Sequence, residues 1–418
     1  MKNIIAKLPR LSLIQQVIIG IVVGALFGVF LPNWTFLGIL GDLFMGALKA
    51  IAPLLVFFLI TSSLSKHRKG SRTHVRSVII LYVLATFIAA FVAVIAVYLF
   101  PVTVTLGAAA TGQNPPSDLV QIIKTALMNA VSNPIQALID GNYLAILLWS
   151  CLLGTGLRMA GDATKKVLDD ITSAISHLVE IIIKFIPLGI VGLVYTSVSS
   201  TGLKIFVEDG KLILLLVFTM LFVAYGVYPL MVWLILRQNP YPLTFYTMKE
   251  SGVPAFFTRS SAVNVPINME VARKLQLNEE SYSISIPLGA SVNSGGAAIT
   301  VTIMTMVGAF TLGMHVNFLL AFILSLVATI ASTGVSGIVG GSLLIIPLAC
   351  SFFGISNDVA MQIVGIGFTI GVIQDAVETA VNSAADLLFA AAAEFYDQRK
   401  DGIIVKVSER VKQAKAMD

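Results

Sequence analysis

The sequence predicts an all-α integral membrane protein with eight transmembrane helices and two re-entrant helical hairpins. Three observations point there. Hydrophobic residues fill 57% of the 418 positions and charged residues only 12%, where a soluble chain carries about 25% charged residues. Apolar runs long enough to cross a bilayer recur through the first 237 residues, with Lys and Arg gathered at their ends. Beyond residue 237 the apolar segments are interrupted at their middles by polar, Gly- and Ser-rich stretches.

Taken in order, residues 13–31 and 36–64 each span once, the second long enough to tilt. Charges precede the first run, but no small-residue cleavage site follows it, so it reads as a retained helix rather than a signal peptide. Lys66, Arg68, Lys69, Arg72 and Arg76 form the densest basic loop, which the positive-inside rule places in the cytoplasm. Residues 78–100 are a third span. Residues 101–140, with QNPPSDL and SNP as breakers, read as an external loop and a broken helix, and 141–160 complete the crossing. Residues 169–200 are one long span interrupted by Pro187, and 212–236 another, closed by Arg237. This places both termini on the cytoplasmic side.

The second half reads as hairpin, broken span, hairpin, broken span. The hairpins cover about 240–277 and 316–355, and the interrupted spans 281–312 and 359–393. Paired discontinuous segments point to a binding site in the membrane, because irregular backbone at that depth is tolerated only where it is buried or lines a cavity. A charged amphiphilic tail, 396–418, ends the chain.

Other classes fit poorly. The net charge of +5 and isoelectric point near 9.1 come from residues at segment ends, so a bilayer and not a nucleic acid is the expected partner. Cys151 and Cys350 lie in apolar runs without disulfide or metal-ligand spacing. His67, His74, His177 and His315 lie in loops or alone, and no nucleophile–base pair suggests an enzyme.

The most informative stretch is GVIQDAVETAVNSAAD, residues 371–386. At about 100° per residue, Asp375, Glu378, Thr379, Asn382 and Asp386 share one face about 100° wide. One carboxylate at mid-bilayer costs about 2.5–3.5 kcal/mol even on the mildest scale. Three on one stripe need a cation, a proton, a partner or water, which suggests a site for a substrate and a coupling cation.

Three breaks precede it. At residues 258–266, TRSSAVNVP sets two hydroxyls beside a helix start, suited to a carboxylate. At 289–296, GASVNSGG exposes carbonyls suited to a hard cation. At 332–341, STGVSGIVGG suits a mobile lid. Alone, each fits an ordinary cap, a glycine-mediated helix contact or a flexible loop. Together and in this order they are more specific.

That order, TRSSAVNVP, SIPLGASVNSGG, the Gly/Ser hairpin and QDAVETAVNSAAD, resembles the dicarboxylate/amino acid:cation symporter family, which includes the glutamate transporters. The resemblance covers nearly the whole chain and is tightest from Thr258 to Asp386. It implies a homotrimer in the bacterial cytoplasmic membrane working as an elevator. Residues 1–76 and 101–208 would form a scaffold, and 77–100 with 209–395 a moving transport domain. Ser260, Ser261, Gly337, Ile338, Asp375, Thr379 and Asn382 match substrate-binding positions. Gly289, Asn293, Asn382 and Asp386 match one sodium site, and carbonyls of Ser291, Ser332, Thr333 and Val335 a second.

Two departures stand out. Members that take acidic substrates carry an Arg where this chain has Glu378. An Arg forks onto a side-chain carboxylate. A Glu repels that group and accepts a hydroxyl, so Glu378 favours a small neutral amino acid, serine or threonine first, with alanine and glycine open. Protonation of Glu378, or its pairing with Arg259 across the closed site, is a further option. Gly295 stands where the family commonly has an Asp of a further sodium site, and Val83 and Phe87 replace that site's oxygen-bearing residues while Thr86 keeps its hydroxyl. That site is expected to be lost. The expected activity is sodium-coupled import without an organic cofactor. A dicarboxylate symporter is the rival within the class, an ion channel the rival outside it.

Overall fold

All the regular structure is helical in the computed structural model, which describes residues 13–65, 73–106, 128, 131–333, 340–400, 402–403 and 405–417. Helices α1 (Leu13–Phe30), α2 (Gly38–Ser65) and α3 (Thr73–Leu99) fall where the first three apolar runs predict them. Two short helices follow, α4 (Pro134–Asp140) and α5 (Tyr143–Gly156). The side-chain oxygen of Asn133 accepts the Ile135 and Gln136 N–H groups at 2.9 and 3.2 Å and so starts α4. Most of the expected 101–140 loop, residues 107–127, lies outside the described residues.

The span expected over 169–200 with an interruption at Pro187 is a bent pair, α6 (Asp162–Ile183) and α7 (Ile186–Thr201), meeting at 55°. Pro187 has no N–H to donate and cannot sit in a helix interior, but it is tolerated in the first turn of α7. The helix also starts earlier than expected. Its first turns carry Asp162, Lys165, Lys166, Asp169 and Asp170, and the Ser62 hydroxyl donates to Asp169 at 2.5 Å.

α8 (Ile205–Phe222) passes through a π turn, Val223–Val227, into α9 (Tyr228–Leu236). The segment expected as the first hairpin is α10 (Tyr241–Thr247), a π turn at Met248–Gly252, α11 (Val253–Thr258) and α12 (Ser261–Lys274). The next apolar run is broken as expected, into α13 (Glu279–Val292) and α14 (Gly295–Thr311). The segment expected as the second hairpin holds α15 (Phe318–Ser332), then α16 (Gly341–Leu344) and α17 (Ile346–Phe352). Residues 334–339 lie outside the described residues.

The last apolar run corrects the sequence reading. It is not broken; α18 (Asn357–Lys400) is one helix of 44 residues. After Gly371 it contains neither Gly nor Pro, and its polar side chains find partners on other elements, so the backbone ladder stays intact. α19 (Val407–Lys415) then folds back onto α10 and α12. Gln238 clamps its start: the amide donates to the Val405 carbonyl at 2.8 Å and accepts the Val407 N–H at 3.0 Å.

By length and composition five helices can cross a bilayer, or six counting the bent pair, among the described residues. The helices pack in two groups. In one, α1 lies on α7, and α2 on α5, α6 and α7. In the other, α14 lies on α3, α15 and α18, and α11 packs on α18. In the first group a glycine stripe sets the approach. A Cβ on Gly20 would stand 2.7 Å from the Pro187 carbonyl oxygen, and one on Gly24 2.6 Å from that of Val191, the small-residue contact expected where lipid supplies no hydrophobic drive.

Candidate functional site

The stripe predicted on α18 is buried throughout: Asp375, Glu378, Thr379, Asn382 and Asp386 are each at most 5% exposed. Each acid is handled differently. Asp375 meets a cation. Arg259 ends α11 in the left-handed conformation (φ +53°), its N–H donating to the Ala255 carbonyl at 2.8 Å. That turn aims its side chain at α18, where Nε donates to Asp375 Oδ2 at 2.7 Å. Asp375 Oδ1 accepts the Gly340 N–H at 3.1 Å. The pair is buried on both sides. Free space beside it, lined by Arg259, Gly340 and Asp375, is about 10 Å³, no more than one water needs.

Glu378 does not pair with Arg259. Its Oε2 accepts from the Thr300 and Ser342 hydroxyls, each at 2.8 Å, and from the Gln374 amide at 2.5 Å. Thr379 turns inward along its own helix, donating to the Asp375 carbonyl at 2.8 Å.

Asn382 joins α18 to the break before α14. Its Oδ1 accepts the Gly296 N–H at 2.7 Å, satisfying one of the orphan donors of a helix start. Gly296 must be small, since a Cβ there would lie 2.8 Å from the Glu378 carbonyl oxygen.

Asp386 Oδ1 accepts from the Asn293 amide at 2.9 Å, and its carbonyl accepts from the Tyr82 hydroxyl at 2.8 Å. A Cβ on Gly289 would stand 3.0 Å from Asp386 Oδ1, and the Asn293 amide also reaches the Asn382 carbonyl at 3.4 Å. Thus the four residues predicted for one ion set, Gly289, Asn293, Asn382 and Asp386, come together. Asp386 Oδ2 and Asn293 Oδ1 are buried with no hydrogen-bond partner. Two neighbouring acceptors left without donors are costly, and they form an oxygen environment suited to a hard cation.

The second predicted set is placed in part. The Ser291 carbonyl accepts from the Ser294 hydroxyl at 3.4 Å. Ser332 ends α15, and Thr333 leaves the helix in extended conformation. Val335, and the substrate candidates Gly337 and Ile338, lie outside the described residues. Ser260 is the N-cap of α12, its hydroxyl accepting the Val263 N–H at 3.4 Å, and Ser261 is buried in the first turn.

Around Gly295 the space is filled. A Cβ there would lie 1.9 Å from the Tyr228 hydroxyl oxygen and 3.4 Å from Ala89. Thr86 keeps its hydroxyl, but it accepts the Ser294 N–H at 3.2 Å and donates to the Tyr82 carbonyl at 2.9 Å.

Sequence reasoning missed three features. Gln374 and Thr300 complete the Glu378 cluster, and the i, i+4 spacing of Gln374 and Glu378 could have shown the first. Tyr82 and Tyr228 beside Asp386 left no sequence signal. Asn264, Asn268, Ser251 and Ser383 form a buried knot, with Asn264 Nδ2 donating to the Ser383 hydroxyl at 2.7 Å and to the Ser251 carbonyl at 3.1 Å. Asn268 Nδ2 adds the Ser383 carbonyl at 3.2 Å. The knot ties both arms of the first hairpin to α18.

Membrane-crossing helices around a buried acidic stripe, with polar helix breaks and a charged hairpin tip converging on it, define a membrane transporter rather than an enzyme. The chain belongs to the sodium:dicarboxylate symporter family, whose profile matches residues 13–394. It is 57% identical over 404 residues to the serine/threonine transporter SstT of Lacticaseibacillus paracasei, covering 96% of this chain and 93% of that protein. Similarity to the serine/threonine transporter SstT of Enterococcus faecalis is 54% identity over 403 residues, 96% of each chain. The protein of that name from Streptococcus agalactiae is 49% identical over 395 residues, 94% of this chain and 98% of the other.

Proposed function

We propose that this protein is a sodium-coupled symporter that imports serine and threonine across the bacterial cytoplasmic membrane. Its architecture in this reading is eight spans and two re-entrant hairpins, both termini cytoplasmic, in a homotrimer. Residues 1–76 and 101–208 form the scaffold, and 77–100 with 209–395 the body that moves as an elevator. Support for two bodies comes from the two packing groups.

The substrate's α-ammonium displaces the Arg259 guanidinium from Asp375. Its carboxylate meets the Ser260–Ser261 tip and Asn382, Thr379 lies beside it, and Gly337 and Ile338 complete the substrate set. Its hydroxyl donates to Glu378. The observation that carries the substrate class is Glu378, whose Oε2 already accepts two hydroxyls, from Thr300 and Ser342. A hydroxylated side chain offers the same chemistry, and a carboxylate does not. The names of relatives at 49–57% identity agree with it.

One sodium ion takes Asp386 with Gly289, Asn293 and Asn382, answering the two unpartnered oxygens. Ser291, Ser332, Thr333 and Val335 carbonyls hold a second. Asn382 belongs to both the ion and the substrate sets, so binding of one favours the other by a shared, reciprocal coupling free energy. The filled space at Gly295 supports fewer coupled ions than in glutamate transporters.

The test is uptake of labelled serine into proteoliposomes. An inward sodium gradient should drive it, threonine should compete, and aspartate and succinate should not. Equal uptake in choline or potassium, or competition by the acids, would refute the reading.

A further inference from the structure

Between the two packing groups lies a second, larger space, a half-open cavity. A cavity of about 620 Å³ is lined by α1, α2 and α7 on one side and by α8 and α18 on the other. That volume is typical of small-molecule sites, which favour domain interfaces. It is separate from the stripe: its α18 lining runs from Asp358 to Ile370 and stops before Asp375. It is lined by the first turns of α2, α8 and α18 and the last turn of α7, the ends away from the basic loop.

Its walls are mostly apolar, with Met45, Leu193, Ile213 and Ile366 among them, and carry Gln362 and several Ser and Thr hydroxyls besides. Its charges are all of one sign. Asp42 stands on the α2 side, Asp209 and Asp358 on the other, and no Lys, Arg or His is among the lining residues. Asp358 has Lys49 as its partner. Asp209 has the Thr369 hydroxyl as a hydrogen-bonding neighbour and a second carboxyl, Glu208, close by. Carboxylates that line one space repel, and the repulsion is relieved by a cation that also fills the volume.

We propose that this cavity binds an amphiphilic organic cation, an apolar body carrying one ammonium group. The ammonium sits between Asp42 and Asp209, and the body lies on Met45, Leu193 and Ile366. Such an occupant touches both packing groups and restrains their relative movement, so it inhibits transport without competing with serine. Only the inhibition rests on the two-body reading; the binding does not.

The probe is 3,3-diphenylpropylammonium, with 3,3-diphenylpropanol as its uncharged counterpart. Binding is measured by titration calorimetry on the full-length protein in nanodiscs, with empty nanodiscs subtracted. The amine should bind at least tenfold tighter than the alcohol, saturating serine with sodium should not displace it, and Asp209→Asn and Asp42→Asn should each weaken it about tenfold. The amine–alcohol comparison uses the unaltered protein, so it stands even if a variant fails to fold. Equal binding of amine and alcohol, binding no greater than to empty nanodiscs, displacement by serine, or indifference to both substitutions would overturn the site. Binding at this site without inhibition of uptake would overturn the two-body reading instead.

Discussion

Replacing Gly295 by Ala tests whether Tyr228 fills the space beside the ion set. The added Cβ would stand 1.9 Å from the Tyr228 hydroxyl oxygen, so that hydroxyl has to move by more than 1 Å, roughly, to reach a normal contact. It has little freedom. Tyr228 is 1% exposed and its ring packs edge-on against Phe389 at 5.1 Å. Overpacking of this kind costs about 1–3 kcal/mol. Tyr228→Phe behaves differently. The hydroxyl has no hydrogen-bond partner, and an unsatisfied buried group costs about 1–3 kcal/mol, so its removal should leave stability unchanged or higher. With it gone, the nearest atom to the new Cβ is Tyr228 Cζ at 3.3 Å, a contact relieved by a small shift. The double variant should recover most of the loss, with a coupling of at least about 1 kcal/mol. Thermal unfolding of the full-length protein in nanodiscs, followed by tryptophan fluorescence, supplies the four corners of the cycle. If Gly295→Ala is as stable as the parent, or if the two effects simply add, Tyr228 does not occupy that space.

The remaining predictions concern the three acids. Asp386→Asn should raise the sodium concentration for half-maximal serine uptake; an unchanged value would remove Asp386 from the ion set. Glu378→Arg should weaken serine uptake and admit aspartate in competition; serine uptake at the parental level would show that Glu378 does not face the substrate. Arg259→Met leaves Asp375 buried without its cation, a loss of about 3–5 kcal/mol. Serine with sodium should therefore raise the unfolding temperature more in that variant than in the parent, and an equal rise would refute the exchange of guanidinium for ammonium.

Much of this was legible in the sequence because membrane length and backbone breakers are local signals. Residues 13–31 and 78–100 announced α1 and α3 by apolar length alone, and GASVNSGG announced the break between α13 and α14. The failures are where partners decide. α18 looked interrupted because its polar residues resemble a break, yet a polar stripe leaves a helix whole when other elements satisfy its side chains. The start of α6 looked like loop because its charges mask one apolar face on α2. The pairing of Arg259 with Asp375 rather than Glu378 depends on a left-handed turn at the hairpin tip, and no spacing rule carries that across 116 positions. Tyr228 is one aromatic among many in apolar runs, and only packing brings its hydroxyl to Gly295.

In the proposed reading, the three acids of one helix face divide the work between substrate and ion. A cation already answers Asp375, so only another cation can take its place without leaving charge buried. Asp386 has one amide donor and an oxygen with none, so it lacks a cation and gains one. Glu378 has three donors and no cation, so it is the position where the sign of an incoming side chain matters most. A substrate carboxylate held 4 Å from an ionised Glu378 would cost about 4 kcal/mol at an effective dielectric constant of 20, close to a thousandfold in affinity. A serine hydroxyl avoids that term and supplies a donor. An Arg at the same position would reverse the sign, so in this proposal one residue separates neutral from acidic substrates while Asp375 and Asp386 keep their places.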